Sequence, residues 1–167
     1  MNNRPHIFLD IDGVLATTPQ YYSKKRHEEY NCYHFDVKCV KVFNEILARV
    51  EVLTHVEPVI ILSSDWKMHF DINALNNIFK WNEVRLPVTD VTEDLWGVEY
   101  RSIDDLEKVR ASEIKKYVKD HDLKKWVAID DLDLSPYLVD DNFVNTPRHM
   151  EGIKQSGIKE KMFKRLL

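Results

Sequence analysis

The sequence predicts an α/β fold, with a central, mainly parallel sheet covered by helices on both faces in three α/β/α layers. Three observations predict it. Short apolar runs of strand length alternate with longer stretches of helical spacing. The runs are apolar throughout instead of alternating with polar residues, as strands buried on both faces are. Three of them stop at polar residues able to carry chemistry, namely Asp10-Ile11-Asp12, Ser63-Ser64 and Asp130-Asp131.

Taken in order, His6 to Ile11 reads as a buried strand that ends at the turn pair Asp12-Gly13. Val37 to Val50 has helical spacing, with Val40, Phe43, Ile46 and Leu47 on one face. Val59 to Leu62 is a second strand, introduced by Pro58. It runs into Ser63-Ser64-Asp65, good N-cap residues for a following helix. Asn73 to Trp81 reads as helix and Val84 to Val88 as a third strand. Ile103 to Asp120 reads as helix with Ile114, Tyr117 and Val118 inward. Trp126 to Ile129 is a strand, Phe143-Val144 a last short one, and Gly157 to Leu167 a terminal amphipathic helix. Trp66, Trp81, Trp96 and Trp126 are expected to anchor the core.

The 167 residues fit one domain, 1–167, large enough to bury roughly two thirds of its unfolded surface. With 24 basic and 28 acidic residues, no global charge draws the chain to nucleic acid or anionic membrane. Cys32 and Cys39 have no partners at zinc spacing and are expected to be reduced thiols, and the seven His form no i, i+4 metal pair. The apolar run after Met1 is too short for a signal peptide or a membrane span, which points to a cytoplasmic protein with no membrane partner.

In a parallel sheet the carboxyl ends of all strands lie on one edge, where open α/β sheets bind ligands. Asp10, Asp12, Asp130 and Asp131 would meet there, and four carboxylates in one small space cannot all ionise without a counter-charge. A hard divalent cation with oxygen ligands answers that, and Mg²⁺ suits a site that also holds a phosphate. A carboxylate beside such a cation can attack phosphorus. The negative charge spread over a transferring phosphoryl group then calls for donors and a further cation. Ser63 and Ser64 supply hydroxyls and N–H groups, and a basic residue from the helix before the Asp130 strand would complete the cradle. Each piece also has a plainer reading. Asp-Gly is an ordinary turn pair, serines are ordinary N-caps, Asp130-Asp131 could be a solvated turn, and Lys108 and Arg110 could face solvent.

The string Ile7-Phe8-Leu9-Asp10-Ile11-Asp12-Gly13-Val14 resembles the first motif of the haloacid dehalogenase (HAD) superfamily, Ser63 its second and Asp130-Asp131 its fourth. More narrowly, Leu62 to Lys67, Arg110-x-x-Glu113-Ile114 and Ile129-Asp130-Asp131 resemble the compact HAD domains of bacterial and phage origin, some fused to RNA-repair enzymes of the Swiss Army Knife type. The resemblance spans residues 5–150 and implies a HAD-like Rossmannoid fold and a Mg²⁺-dependent phosphatase working through an aspartyl-phosphate. It implies Asp10 as nucleophile. Asp12 would be general acid and base, lending its backbone carbonyl to the metal. Ser63 would bind a phosphoryl oxygen. Asp130 would be a metal ligand, with Asp131 a ligand or one step behind it. The third motif, usually Lys, falls on Arg110 or Lys108, and an Arg there would replace a point charge by a fork.

Too little chain separates Asp12 from Ser63 for a large cap, so the enzyme is expected to be capless or minimally capped, with residues 16–36 as a flap. Within that flap, Tyr21, Tyr22, Lys24, Lys25 and Arg26 interleave aromatics with cations, as suits stacking on bases and pairing with phosphates. A nucleotide or nucleic-acid end is thus the first expected substrate. A small sugar phosphate is the second, and a catalytically silent binding module is the alternative of another class. No obligate protein partner is evident.

Overall fold

A computed structural model describes residues 4–97 and 105–167. Five strands form one all-parallel sheet in the order β3-β2-β1-β4-β5. They are β1 (His6–Leu9), β2 (Val59–Leu62), β3 (Val88–Val91), β4 (Trp126–Asp130) and β5 (Phe143–Asn145). The helices are α1 (Thr18–Tyr21), α2 (Val37–Thr54), α3 (Ile72–Trp81), α4 (Leu106–Asp120) and α5 (Ile158–Leu166).

Successive side chains of a strand point to opposite faces, and the core divides accordingly. Ile7 and Leu9 of β1, with Ile60, Leu62, Val127 and Ile129, face a cluster filled by Phe43 and Leu47 of α2, Leu75 and Phe79 of α3, and Met162 and Leu166 of α5. Phe8, Ile61 and Ala128 face a smaller cluster closed by Ala111 and Ile114 of α4. Tyr117 and Val118 pack at its margin. The result is the α/β/α sandwich that uninterrupted apolar strands demand.

α2 forms where buried residues recur at 39, 40, 43, 46, 47 and 50. Its N-cap Asp36 accepts from the Lys38 and Cys39 N–H groups, and His55 ends it in the left-handed conformation. Cys39 and Cys32 are free and buried.

Three expectations are corrected. The third strand is Val88–Val91, not Val84 to Val88. Val84 and Leu86 are buried, but Pro87 lacks the N–H that a ladder needs. Ser63 and Ser64 do not cap an α-helix. Ser64 precedes a single 3-10 turn over Asp65–Met68 with no side-chain cap bond, and α3 starts four residues later, capped by Asp71 through the Ala74 N–H. Trp96 is 40% exposed, whereas Trp66 is buried and Trp81 and Trp126 pack against the two clusters. The expected start of the fourth long helix, Ile103, lies outside the described residues, and α4 is described from Leu106.

No helix among the described residues is long and apolar enough to cross a membrane.

Candidate active site at the carboxyl ends of the strands

Sheet register brings the site together. Leu9 pairs with Leu62 on one side and Ile129 on the other, so β1, β2 and β4 end level. The backbone continues the ladder one residue further. The Asp10 N–H donates to the Ile129 carbonyl at 3.1 Å and the Ser63 N–H to the Leu9 carbonyl at 2.9 Å. Asp10, Ser63 and Asp130 thus become neighbours although each lies more than 50 residues from the next in the chain.

Beyond Asp10 the chain turns sharply. Gly13 sits at φ +72°, and its N–H donates to the Ala16 carbonyl and to the Tyr21 hydroxyl, both at 2.8 Å. A Cβ at Gly13 would lie 2.5 Å from Cβ of Asp131, so only glycine lets the two loops approach this closely. The Thr146 hydroxyl donates to the Gly13 carbonyl at 2.9 Å, and the Asn145 amide holds the carbonyls of residues 130 to 132.

Carboxylate oxygens of Asp10, Asp130 and Asp131 all lie within 4.8 Å of one another. Burial raises the pKa of each. Asp130 adds to the effect at Asp10 and Asp10 adds to it at Asp131, while Arg110 pulls against it at all three. The Arg110 guanidinium is 6% exposed and lies 2.9 Å from Asp130 Oδ2 and 3.4 Å from Asp10 Oδ1. Its other nitrogen meets the exposed Asp65 at 2.8 Å, and it also donates to the Ser63 carbonyl at 2.8 Å. Lys108, the other basic residue considered, is exposed on the same helix.

The hydroxyls of Ser63 and Ser64 are buried without a hydrogen-bond partner. The Ser64 hydroxyl opposes the rise at Asp10, favouring its ionised form. A buried polar atom left unpaired costs about 1–3 kcal/mol, so two beside one acidic cluster mark a place for a ligand with acceptor oxygens.

The Asp12 carboxyl stands apart from the other three. The Tyr33 hydroxyl donates to Oδ1, and the Trp66 indole N–H donates to Oδ2 at 3.2 Å. Burial raises its pKa, and these two donors oppose the rise. The flap residues divide. Tyr21 lies inward on the turn after Asp10, while Tyr22, Lys24, Lys25 and Arg26 are exposed. Lys25 lines a groove of about 1000 Å³ with His34 and Trp81, which includes none of the site's acids.

Several participants lacked a sequence signal. Tyr33, Trp66 and Asp65 gained their partners only on folding, as did His149, whose Nδ1 lies 2.9 Å from Asp131 Oδ2. Trp66 was legible only as a core residue, and it is that as well.

The sequence profile of the HAD domain in Swiss Army Knife RNA repair proteins matches residues 6–157, nearly the whole chain. The chain belongs to this HAD family. No curated protein and no solved structure was found to match it. Asp10, Ser63, Asp130 and Asp131 share one edge of the Rossmann-like sheet, with Arg110 among them.

HAD domains generally use Mg²⁺, and the residues here fit it. Asp10, Asp130, Asp131 and Asp65 crowd a single guanidinium, and a divalent cation would offset the acidic charge left over. The donors are all hard oxygens, as Mg²⁺ prefers.

Proposed function

We propose that the protein is a Mg²⁺-dependent phosphomonoesterase working through an aspartyl-phosphate on Asp10, with a nucleotide or nucleic-acid end as substrate. The reading rests on one observation above all. Three mutually close acids, a buried arginine and two buried serines meet at the carboxyl ends of β1, β2 and β4.

In this reading Asp10, Asp130 and Asp131, with the Asp12 backbone carbonyl, would hold Mg²⁺. When bound, the cation polarises the phosphoryl oxygens and offsets the charge of the acids. Ser63 and Ser64 donate to the phosphoryl oxygens, and Arg110 faces the charge that spreads over them. An Asp10 carboxylate oxygen attacks phosphorus in line with the leaving oxygen, which takes its proton from Asp12. Asp12, now a carboxylate, removes a proton from water. The water oxygen attacks the aspartyl-phosphate, inorganic phosphate leaves, and Asp10 and protonated Asp12 are regenerated. Residues 16–36 act as a minimal flap, and the exposed Tyr22, Lys24, Lys25 and Arg26 supply stacking and phosphate pairing for a nucleic-acid end.

The family's occurrence in RNA repair proteins favours nucleic-acid ends over a sugar phosphate. A silent binding module has no need for Asp10 to lie buried beside Arg110 and two further acids. Hydrolysis of p-nitrophenyl phosphate with and without Mg²⁺ tests the chemistry. Asp10→Asn should remove nearly all turnover because the covalent route is gone. Equal rates for both proteins would refute the nucleophile. Oligonucleotides carrying 3′- or 5′-phosphate then test the substrate, with a preference of either end over glycerol phosphate expected.

A further inference from the structure

The aromatic segment before α2 does something that substrate contact does not explain. Its Tyr33 reaches 21 residues back along the chain to the Asp12 carboxyl, and Trp66, from the 3-10 turn after β2, reaches the other oxygen of the same carboxyl. We infer that Tyr33 and Trp66 are positioning residues that aim the Asp12 carboxyl at the leaving-group oxygen, an inference that rests on the acid–base role proposed for Asp12.

Both donors are themselves held. Trp66 is buried, and its ring meets Phe35 and Phe70 at 5.7 and 5.6 Å between centroids. Tyr33 packs edge-on against Trp66 at 5.3 Å and tilted against Tyr21 at 5.2 Å, and the Arg26 guanidinium lies over its ring. Tyr21 in turn accepts from the Gly13 N–H, the residue after Asp12. One aromatic cluster therefore grips the Asp12-Gly13 turn by backbone and by side chain. A carboxyl free to rotate would lose the alignment on which proton transfer to a departing oxygen depends.

The two donors are not equivalent. An indole N–H can only donate, so Oδ2 is fixed as an acceptor while Trp66 is in place. A phenol can donate or accept. In the structure the Tyr33 hydroxyl donates to Oδ1, so each oxygen of the Asp12 carboxyl is held by one donor and keeps a second lone pair that can face the leaving group.

The test uses Tyr33→Phe, which removes one oxygen, with Trp66→Phe as the second variant. Two substrates of nearly equal shape are compared, p-nitrophenyl phosphate and phenyl phosphate, whose leaving group is the weaker acid and needs the proton more. In Tyr33→Phe, kcat for phenyl phosphate should fall by roughly ten- to a hundredfold and by a much smaller factor for p-nitrophenyl phosphate, with KM for both near the wild-type values. Added to Asp12→Asn, the same change should leave the initial burst of p-nitrophenolate unaltered, because its target is already gone. An equal fall for both substrates, or a full additional fall in the Asp12→Asn background, would overturn the inference. Wild type without Mg²⁺-dependent turnover, or Asp10→Asn with full turnover, would instead remove the enzymatic reading, and this inference with it. Thermal melts of each variant separate loss of aim from loss of fold.

Discussion

Arg110 directs both terminal nitrogens of its guanidinium at fixed acceptors, Asp130, Asp10 and the Ser63 carbonyl on one side and Asp65 on the other. A lysine at this position would bring one compact ammonium, which cannot bridge Asp130 and Asp65 together. Arg110→Lys should therefore keep the charge and lose the fork, lowering kcat more than it raises KM. Arg110→Met leaves the buried Asp10 and Asp130 without their cation. Removing one partner of a buried ion pair costs about 3–5 kcal/mol, and urea unfolding at pH 7.5 without Mg²⁺ should show a deficit of that order. At pH 5 the deficit should shrink, because burial already raises both acids and they can take up protons once the guanidinium is gone. A deficit independent of pH would mean that Arg110 acts by packing alone.

At the scale of elements, the site depends on strand ends being level and on loops meeting tightly above them. Gly13 is where this is most exposed to test. Gly13→Ala places a side chain at φ +72°, a conformation costing L-residues roughly 1–2 kcal/mol, and drives its Cβ into Asp131. It should lower stability by at least that much in chemical denaturation and abolish turnover, since Asp131 cannot keep its place beside Asp10. The strands that carry the acids were legible because each is an apolar run ending in a chemically distinctive residue, and β2 matches its expected bounds, Val59–Leu62. β3 was misplaced because Val84 and Leu86 look like strand residues, yet they fill the core from a loop. At Val88 itself, the Asn76 amide pairs with both backbone groups, at 2.7 Å to the N–H and 3.1 Å to the carbonyl, so a side chain ties down the strand's first residue. Arg110 was legible as a basic residue near the start of a helix, but its fourfold engagement was not. Nor was the Tyr33–Trp66 grip on Asp12, because hydrogen bonds spanning 21 and 54 residues leave no local pattern.

For the molecule as a whole, two buried acids and a half-buried one lie where the central strands end, so cation binding and global stability are linked. Folding raises the pKa of Asp10, Asp130 and Asp131 above the ordinary 3.8 of an aspartate. The folded chain then binds more protons than the unfolded one, and the contribution of these groups is fully present below that ordinary value and lost as pH rises through their raised values. Other groups move differently. Asp36 is half-buried, but Lys154 and two backbone N–H groups hold it below its ordinary value, so its contribution is constant above that range. His6 and His34, lowered mainly by burial, gain stability as pH rises. Absolute stability between pH 5 and 7.5 mixes these opposing slopes. The shift caused by Mg²⁺ leaves out His6 and His34, which lie away from the acidic cluster, and of the histidines involves only His149, which meets Asp131 at 2.9 Å. A ligand present at a hundred times its Kd stabilises the state it binds by roughly 2.7 kcal/mol. At pH 5 protons compete for the same oxygens, so the apparent Kd rises and the gain shrinks. Thermal melts with excess Mg²⁺ and with chelator should show a clear rise in Tm at pH 7.5 and a much smaller one at pH 5, and Asp130→Asn should flatten the difference. A Mg²⁺ shift equal at both pH values, or retained in Asp130→Asn, would place the cation somewhere other than among these three carboxylates.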